Sequence, residues 1–132
     1  MKIAIVGLGA AGSAALLEAA AAGFEVVGFE QFEIGHDLGS SHGASRLIRR
    51  TYPDAFHSRW MGSAYEAWAR VEALTGEELF EECGGLTFGP ENDATLQATR
   101  DALVSCGITH EVLSREAVTE RFPALYIGEG AV

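Results

Sequence analysis

The fold of this 132-residue chain is decided near its start, where residues 2–12 read KIAIVGLGAAG. Residues 2–6 form a short, largely apolar run that is typical of a strand buried on both faces. Three glycines follow at the spacing G-x-G-x-x-G. Gly7 permits a tight turn, Gly9 lets a pyrophosphate approach the backbone, and Gly12 allows the next helix to pack closely on the strand. The stretch therefore predicts the opening turn of a dinucleotide-binding fold.

The next residues complete a strand–helix–strand unit. Residues 10–22 are mostly alanine and leucine, which favour a helix, and Gly23 is placed to end it. Residues 25–29 are again strand-like, and the right-handed crossover rule makes the two strands parallel neighbours. Glu30 stands at the end of the second strand, where its carboxylate would accept hydrogen bonds from the hydroxyls of an adenosine ribose. This combination favours a nucleotide site over a purely structural glycine turn.

The cofactor cannot be chosen from these residues alone, because Glu30 disfavours NADP but does not separate FAD from NAD. Residues 31–51 then lose periodicity and are dominated by glycine, serine, histidine and arginine, as in a loop that contacts a ligand. If this segment is helical, Arg46 and Arg49 share a face and His42 lies one turn earlier. That arrangement could serve a carboxylate. A solvated arginine face is the alternative, since exposure is the usual fate of arginine.

Residues 54–132 predict helices and short strands. A helix begins near Asp54 and ends at Gly76, residues 79–83 and 86–88 read as strands, and a second helix capped by Asn92 or Asp93 runs to Cys106. Residues 111–113 read as a further strand, and Ser114 caps a final helix that stops before the proline at 123. The first helix carries an apolar stripe at helical spacing, formed by Trp60, Ala64, Ala67, Trp68, Val71 and Leu74.

Composition excludes several function classes. The chain has 9 basic and 19 acidic residues and a net charge of −10, which argues against a nucleic-acid surface. Two cysteines are too few for a secreted disulfide framework, so we expect reduced thiols and a cytoplasmic protein. Glycines interrupt the apolar N-terminal run, so neither a signal peptide nor a membrane segment is expected. His36, His57 and His110 show no metal-binding spacing, and no metal is expected.

A further stretch carries a family resemblance. Residues 39–49, GSSHGASRLIR, together with the glycine motif and Glu30, resemble the N-terminal part of the FAD-dependent amine oxidases typified by monomeric sarcosine oxidase, N-methyltryptophan oxidase and pipecolate oxidase. Residues 83–89 and 121–123 extend the resemblance. It implies an α/β fold, with a Rossmann-like FAD-binding domain that starts as a parallel βαβ unit and the beginning of an α+β substrate domain. Residues 1–78 would be the first part of the FAD-binding domain and residues 79–132 the truncated start of the substrate domain and its connecting helices.

The resemblance also implies roles for individual residues, with FAD as the cofactor. Arg46 would stabilise negative charge on the flavin, and Arg49 would pair with the carboxylate of an amino-acid substrate. These two arginines and His42 are the predicted catalytic residues. The residues predicted to bind FAD are Gly7, Gly9, Ala10, Ala11, Gly12, Glu30, Ser40, Ser41, Ser45 and Arg46. Ser41 replaces a histidine that many members carry, a difference shared with pipecolate oxidase.

The resemblance predicts an FAD-dependent oxidase of secondary or N-methyl amino acids, which transfers hydride to the flavin and electrons to O2, giving H2O2. Members are roughly three times this length, so the chain would be a fragment that is inactive alone and prone to associate with itself or a partner chain. One alternative is a non-enzymatic module that binds an adenine dinucleotide, FAD or NAD. Another is a subunit that a partner chain completes.

Overall fold

The computed structural model of the chain describes residues 1–128, so the last four residues of the predicted substrate domain lie outside it. The chain divides into two compact units, Met1–Leu47 and Ile48–Val132. The domain boundary predicted between residues 78 and 79 stays a prediction, as does the α+β character of the second domain.

The first unit is a βαβ unit whose strands have the predicted bounds and whose helix ends one residue earlier than predicted. Strand β1 covers Lys2–Val6, helix α1 covers Ala10–Ala21 and strand β2 covers Glu25–Phe29. The strands are parallel, with Ile3 opposite Val26 and Ile5 opposite the glycine at 28. The chain turns back after α1 at Gly23, whose φ of 81° is readily adopted by glycine. The predicted parallel unit is therefore confirmed.

Burial of β1 differs from the prediction of a strand covered on both faces. Ile3 and Ile5 are half-buried on the side of α1, whereas Val6 is 85% exposed and Phe29 on β2 is 54% exposed. A parallel sheet is covered on both faces only when crossover helices pack on both, and α1 packs on one. Within the first unit, no helix packs on the second face of the sheet.

Residues 48–128 of the second unit contain three helices, and each begins at a capping side chain. Helix α2 covers Ala55–Thr75, α3 covers Ala94–Ser105 and α4 covers Arg115–Arg121. Their N-terminal amides are capped by the side chains of Asp54, Asp93 and Ser114, respectively. Of the two caps proposed for α3, Asp93 is therefore the one used. None of the helices within residues 1–128 is long and apolar enough to cross a membrane.

The strand predictions for this unit are wrong. Residues 79–83, 86–88 and 111–113 are irregular rather than extended strands, since no neighbouring strand in the described residues supplies a hydrogen-bonded ladder. The carboxylate of Glu72 instead accepts the N–H groups of Leu79 and Phe80, each at 2.8 Å. Of the six stripe residues on α2, three are half-buried and three are exposed, including Trp60 at 64% and Leu74 at 71%. Helices α2 and α3 do pack together, and the buried apolar side chains described for the unit are Ala102, Leu103, Val118 and Ile127.

Candidate nucleotide-binding site

The glycine turn brings β1 and α1 closer together than any side chain would allow. A Cβ atom on Gly12 would lie 1.8 Å from the carbonyl oxygen of Gly7, and Gly7 itself has a φ of 89°. The N–H of Gly7 donates to the carbonyl of Phe29 at 2.8 Å, which ties the turn to the end of β2. A Cβ on Gly9 would lie 3.1 Å from the hydroxyl oxygen of Ser41. The predicted reasons for Gly7 and Gly12 are confirmed in this geometry.

The N-terminus of α1 is an electropositive end that faces the loop carrying Ser41. The N–H of Ala10 donates to Ser41 Oγ at 3.0 Å, so a hydroxyl oxygen lies where an anion's oxygen could bind. Ala11 and Gly12 also lie in the first turn, where N–H groups have no acceptor within the helix. The first turn contains no acidic side chain that would neutralise the helix dipole. The arrangement suits a phosphate group.

Glu30 folds back over the glycine turn. Its Oε2 accepts the N–H of Leu8 at 2.8 Å, and its Oε1 accepts those of Gln31 at 2.8 Å and Phe32 at 3.3 Å. The Leu8 N–H holds the pKa of the Glu30 carboxyl below its usual value; burial opposes this shift, and the other two N–H groups and His36 add to it. The carboxylate is therefore ionised at neutral pH and can accept ribose hydroxyls, and its side chain is 10% exposed.

The loop predicted to lie beside the flavin is held together by Arg46. The guanidinium donates to the carbonyl oxygens of Ser40 and Ser45, both at 2.8 Å, and to that of His42. The His42 ring contacts the carbonyl of residue 39 through Nδ1. Ser40 and Ser45 thus take part through their carbonyl groups. The structure brings these four predicted residues together.

The helix considered for residues 42–50 is absent, so Arg46 and Arg49 do not share a helical face. Glycine at 43 has a φ of 117°, which is incompatible with an α-helix, and Arg46 turns back onto its own loop. Arg49 belongs to the second unit, where its guanidinium lies 5.3 Å from the centre of the Tyr52 ring. Its predicted role toward a substrate carboxylate stays a prediction.

Sequence reasoning missed two contributors to the site. The backbone N–H of Leu8 contacts Glu30, and the His36 ring lies 3.4 Å from the same carboxylate. The signal for His36 was weak because it lies six positions after Glu30, in an irregular loop. Gly35, with a φ of 86°, makes the turn that returns His36 to the end of β2. Among residues 1–128 no group of three or more His, Cys, Asp or Glu side chains is placed to hold a metal ion.

The residues present fit an adenine dinucleotide. The glycine turn leaves no room for a side chain at position 12, the first turn of α1 offers N–H donors to a pyrophosphate, and Glu30 offers an ionised acceptor to a ribose. FAD would be held by these groups, with its adenosine at the end of β2 and its pyrophosphate at the start of α1.

Comparison with known proteins gives a consistent picture. Residues 2–132 match the family described as FAD dependent oxidoreductase. The chain is 34% identical over 128 residues to peroxisomal sarcosine oxidase of Mus musculus. The aligned region covers 97% of this chain and 33% of that protein. It is 34% identical over 122 residues to monomeric sarcosine oxidase of Streptomyces avermitilis, covering 92% and 32% of the two chains. It is 29% identical over 129 residues to N-methyl-L-tryptophan oxidase of Yersinia pestis, covering 97% and 35%.

The chain thus spans about a third of the length of the curated relatives that it matches. The resemblance inferred from residues 39–49 is confirmed, and FAD is the cofactor of the family that it indicated. The chain belongs to the FAD-dependent oxidoreductase family, of which it carries the βαβ unit and the glycine turn.

Proposed function

We propose that the protein to which this chain belongs is an FAD-dependent oxidase of secondary or N-methyl amino acids, such as sarcosine or pipecolate. The observation that carries the proposal is that two polar side chains accept backbone N–H groups at the glycine turn. Glu30 accepts the N–H of Leu8, and Ser41 accepts the N–H of Ala10. Ser41 belongs to the stretch that resembles the amine oxidases, and its contact with the Ala10 N–H supports a single site made of that stretch and the turn. The names of the relatives support a small N-methylated amino acid as substrate.

The chain's own residues would bind and orient the cofactor. Bound FAD would accept a hydride from the carbon next to the amine nitrogen and pass the electrons to O2, giving H2O2. The first turn of α1 would bind the pyrophosphate, and Glu30 would bind the adenosine ribose. Arg46 would keep the loop of residues 40–45 in one conformation and place a positive charge there, which favours negative charge on a neighbouring group.

Arg49 is the chain's proposed anchor for the substrate carboxylate. A guanidinium presents paired N–H donors whose geometry matches a carboxylate, and its charge is permanent. The Tyr52 ring, 5.3 Å from the guanidinium carbon, limits the directions in which the side chain extends. We propose that this chain is inactive alone, because it covers about a third of each relative's length. The free thiols of Cys83 and Cys106 support a cytoplasmic location.

The proposal is tested by expressing the whole reading frame that encodes this chain. The purified protein should show flavin absorbance, and under nitrogen sarcosine, N-methyltryptophan or pipecolate should bleach it. Readmitted oxygen should restore the absorbance and release peroxide. A folded product without flavin would refute the cofactor assignment, and a flavin that none of these amines reduces would refute the substrate class.

The alternative of a non-enzymatic nucleotide module is separated by calorimetry with FAD, NAD and ADP. Tight NAD binding without FAD binding would favour the module. The alternative of a subunit completed by a partner is supported by the open face of the sheet, where Val6 and Phe29 are exposed. Size-exclusion chromatography of the 132-residue chain should then show self-association, and a stable, monodisperse monomer would count against it.

A further inference from the structure

His36 is held in one orientation at the edge of the nucleotide site. Its Nδ1 accepts the N–H of Leu38 at 3.0 Å. Because a backbone amide can only donate, Nδ1 carries no proton in this arrangement, and the proton of the neutral ring lies on Nε2. Nε2 lies 3.4 Å from Oε1 of Glu30. The electropositive N–H edge of the ring therefore faces the carboxylate.

The ring is supported from two further sides. The Phe32 ring meets it edge-on, with ring centroids 4.9 Å apart and an interplanar angle of 68°. The backbone N–H of His36 donates to the carbonyl of Glu33 at 3.1 Å, which closes the turn made by Gly35. The side chain is 21% exposed. These contacts leave the imidazole little freedom, so its position relative to Glu30 is built into the loop.

The two oxygens of Glu30 have unequal numbers of donors. Oε1 faces the N–H groups of Gln31 and Phe32 and the His36 ring, whereas Oε2 accepts one N–H, that of Leu8. A carboxylate has about four lone-pair sites, two on each oxygen. Oε1 is therefore fully used, and Oε2 is the oxygen with acceptor capacity left for a ligand hydroxyl.

We propose that His36 is a positioning residue that orients the Glu30 carboxylate so that Oε2 is presented to the adenosine ribose. The inference rests on the proposed function, in which Glu30 binds that ribose. His36 acts through Glu30 and would not itself contact the nucleotide. It follows that replacing His36 should weaken binding only of ligands that carry ribose hydroxyls.

The test compares two ligands that differ only in those hydroxyls. Flavin-free protein from the whole reading frame is titrated calorimetrically with ADP and with 2′,3′-dideoxy-ADP. The wild type should prefer ADP, and His36→Phe, which keeps an aromatic ring beside Phe32, should lose about three- to tenfold in ADP affinity. Its affinity for dideoxy-ADP should be unchanged. A substitution that merely loosened the fold would weaken both ligands alike.

Two near-isosteric variants separate positioning from loop structure. His36→Gln keeps an N–H donor near the place of Nε2 and should restore most of the preference for ADP. His36→Asn keeps an acceptor for the Leu38 N–H near the place of Nδ1, but it should not restore the preference for ADP. The opposite order would show that His36 serves the loop alone, and it would overturn the inference.

A double-mutant cycle gives the second measurement. In the background of Glu30→Gln, which itself should lose the preference for ADP, His36→Phe should have no further effect on that preference. Independent, additive effects would overturn the inference, as would a wild type that binds FAD without preferring ADP over dideoxy-ADP. A folded wild type that binds neither FAD nor ADP would overturn the proposed function and the inference together.

Discussion

The substitution Gly12→Ala tests the glycine turn most directly. The new methyl group would lie 1.8 Å from the carbonyl oxygen of Gly7 and 2.9 Å from its carbonyl carbon. Both atoms belong to the backbone at the end of β1, and the same turn is bonded to Phe29 on β2, so neither can rotate away as a side chain would. To reach an ordinary contact of 3.4 Å, the start of α1 would have to retreat from β1 by about 1.6 Å.

Two effects of opposite sign determine how much Gly12→Ala changes the free energy of unfolding. Alanine is favoured over glycine in a helix by at most about 1 kcal/mol, and by less in the first turn. Overpacking typically costs about 1–3 kcal/mol, and here the clash is with rigid backbone, so the upper part of that range applies. We expect a net loss of about 2 kcal/mol in the free energy of unfolding. Since the shift moves the first-turn N–H groups away from the pyrophosphate, FAD affinity should fall at least about tenfold.

The matched control is Gly62→Ala, the same change in the interior of α2. Nothing lies within 4 Å of a Cβ atom at that position, so helix propensity alone acts and the variant should gain about 0.5–1 kcal/mol. Chemical denaturation and the flavin content of the purified full-length proteins measure both quantities. If Gly12→Ala were as stable as the wild type and kept its flavin, the close approach of α1 and β1 would be refuted as the reason for glycine there.

The remaining predictions concern single polar groups. Ser41→Ala should lower the stability of the flavin-free protein by about 0.5–1 kcal/mol, because the Ala10 N–H loses the hydroxyl oxygen that accepts it; equal urea unfolding of the variant and the wild type would contradict this. The Asp93 carboxylate accepts the N–H of Leu96 at 2.7 Å. Asp93→Ala removes this cap and should lower the free energy of unfolding in urea by about 1 kcal/mol, whereas Asp93→Asn should lower it little. Folding holds the pKa of the Glu30 carboxyl below its usual value of 4.5. The ionised carboxylate therefore stabilises the folded protein above pH 4.5, and this stabilisation is lost as the pH falls through the lower pKa of the folded state. Unfolding curves from about pH 6 to about pH 3 should therefore show a smaller acid-induced loss in Glu30→Gln than in the wild type, and equal losses would contradict the assignment.

The elements with strong local signals were predictable from the sequence. The bounds of β1 and β2 are as predicted, and α1 ends one residue before its predicted end. The start of α2 near Asp54, the cap Ser114 and the terminating Gly76 were also predicted, because a capping side chain or a left-handed glycine acts within one turn of its own position. Such short-range interactions need no knowledge of the rest of the fold.

Features that depend on distant partners were not predictable in the same way. Residues 79–83, LFEEC, include apolar side chains suited to a strand, but a strand exists only when a second one pairs with it. The apolar stripe that includes Trp60 has helical spacing. Such spacing shows that the residues share one face of the helix, but it does not show which other part of the protein packs on that face. The spacing of Arg46 and Arg49 suggested a shared face that the irregular loop does not provide.

By itself, the sequence determined the βαβ unit, the glycine turn, the carboxylate at the end of β2 and the membership of an FAD-dependent family, because these depend on residue types at short, fixed spacings. Only the tertiary structure decided that Glu30 closes on the Leu8 N–H, that Ser41 reaches the start of α1 and that His36 faces the carboxylate. The physical reason is that hydrogen bonds between residues distant in sequence depend on how an irregular loop returns to the sheet. No local propensity specifies that path.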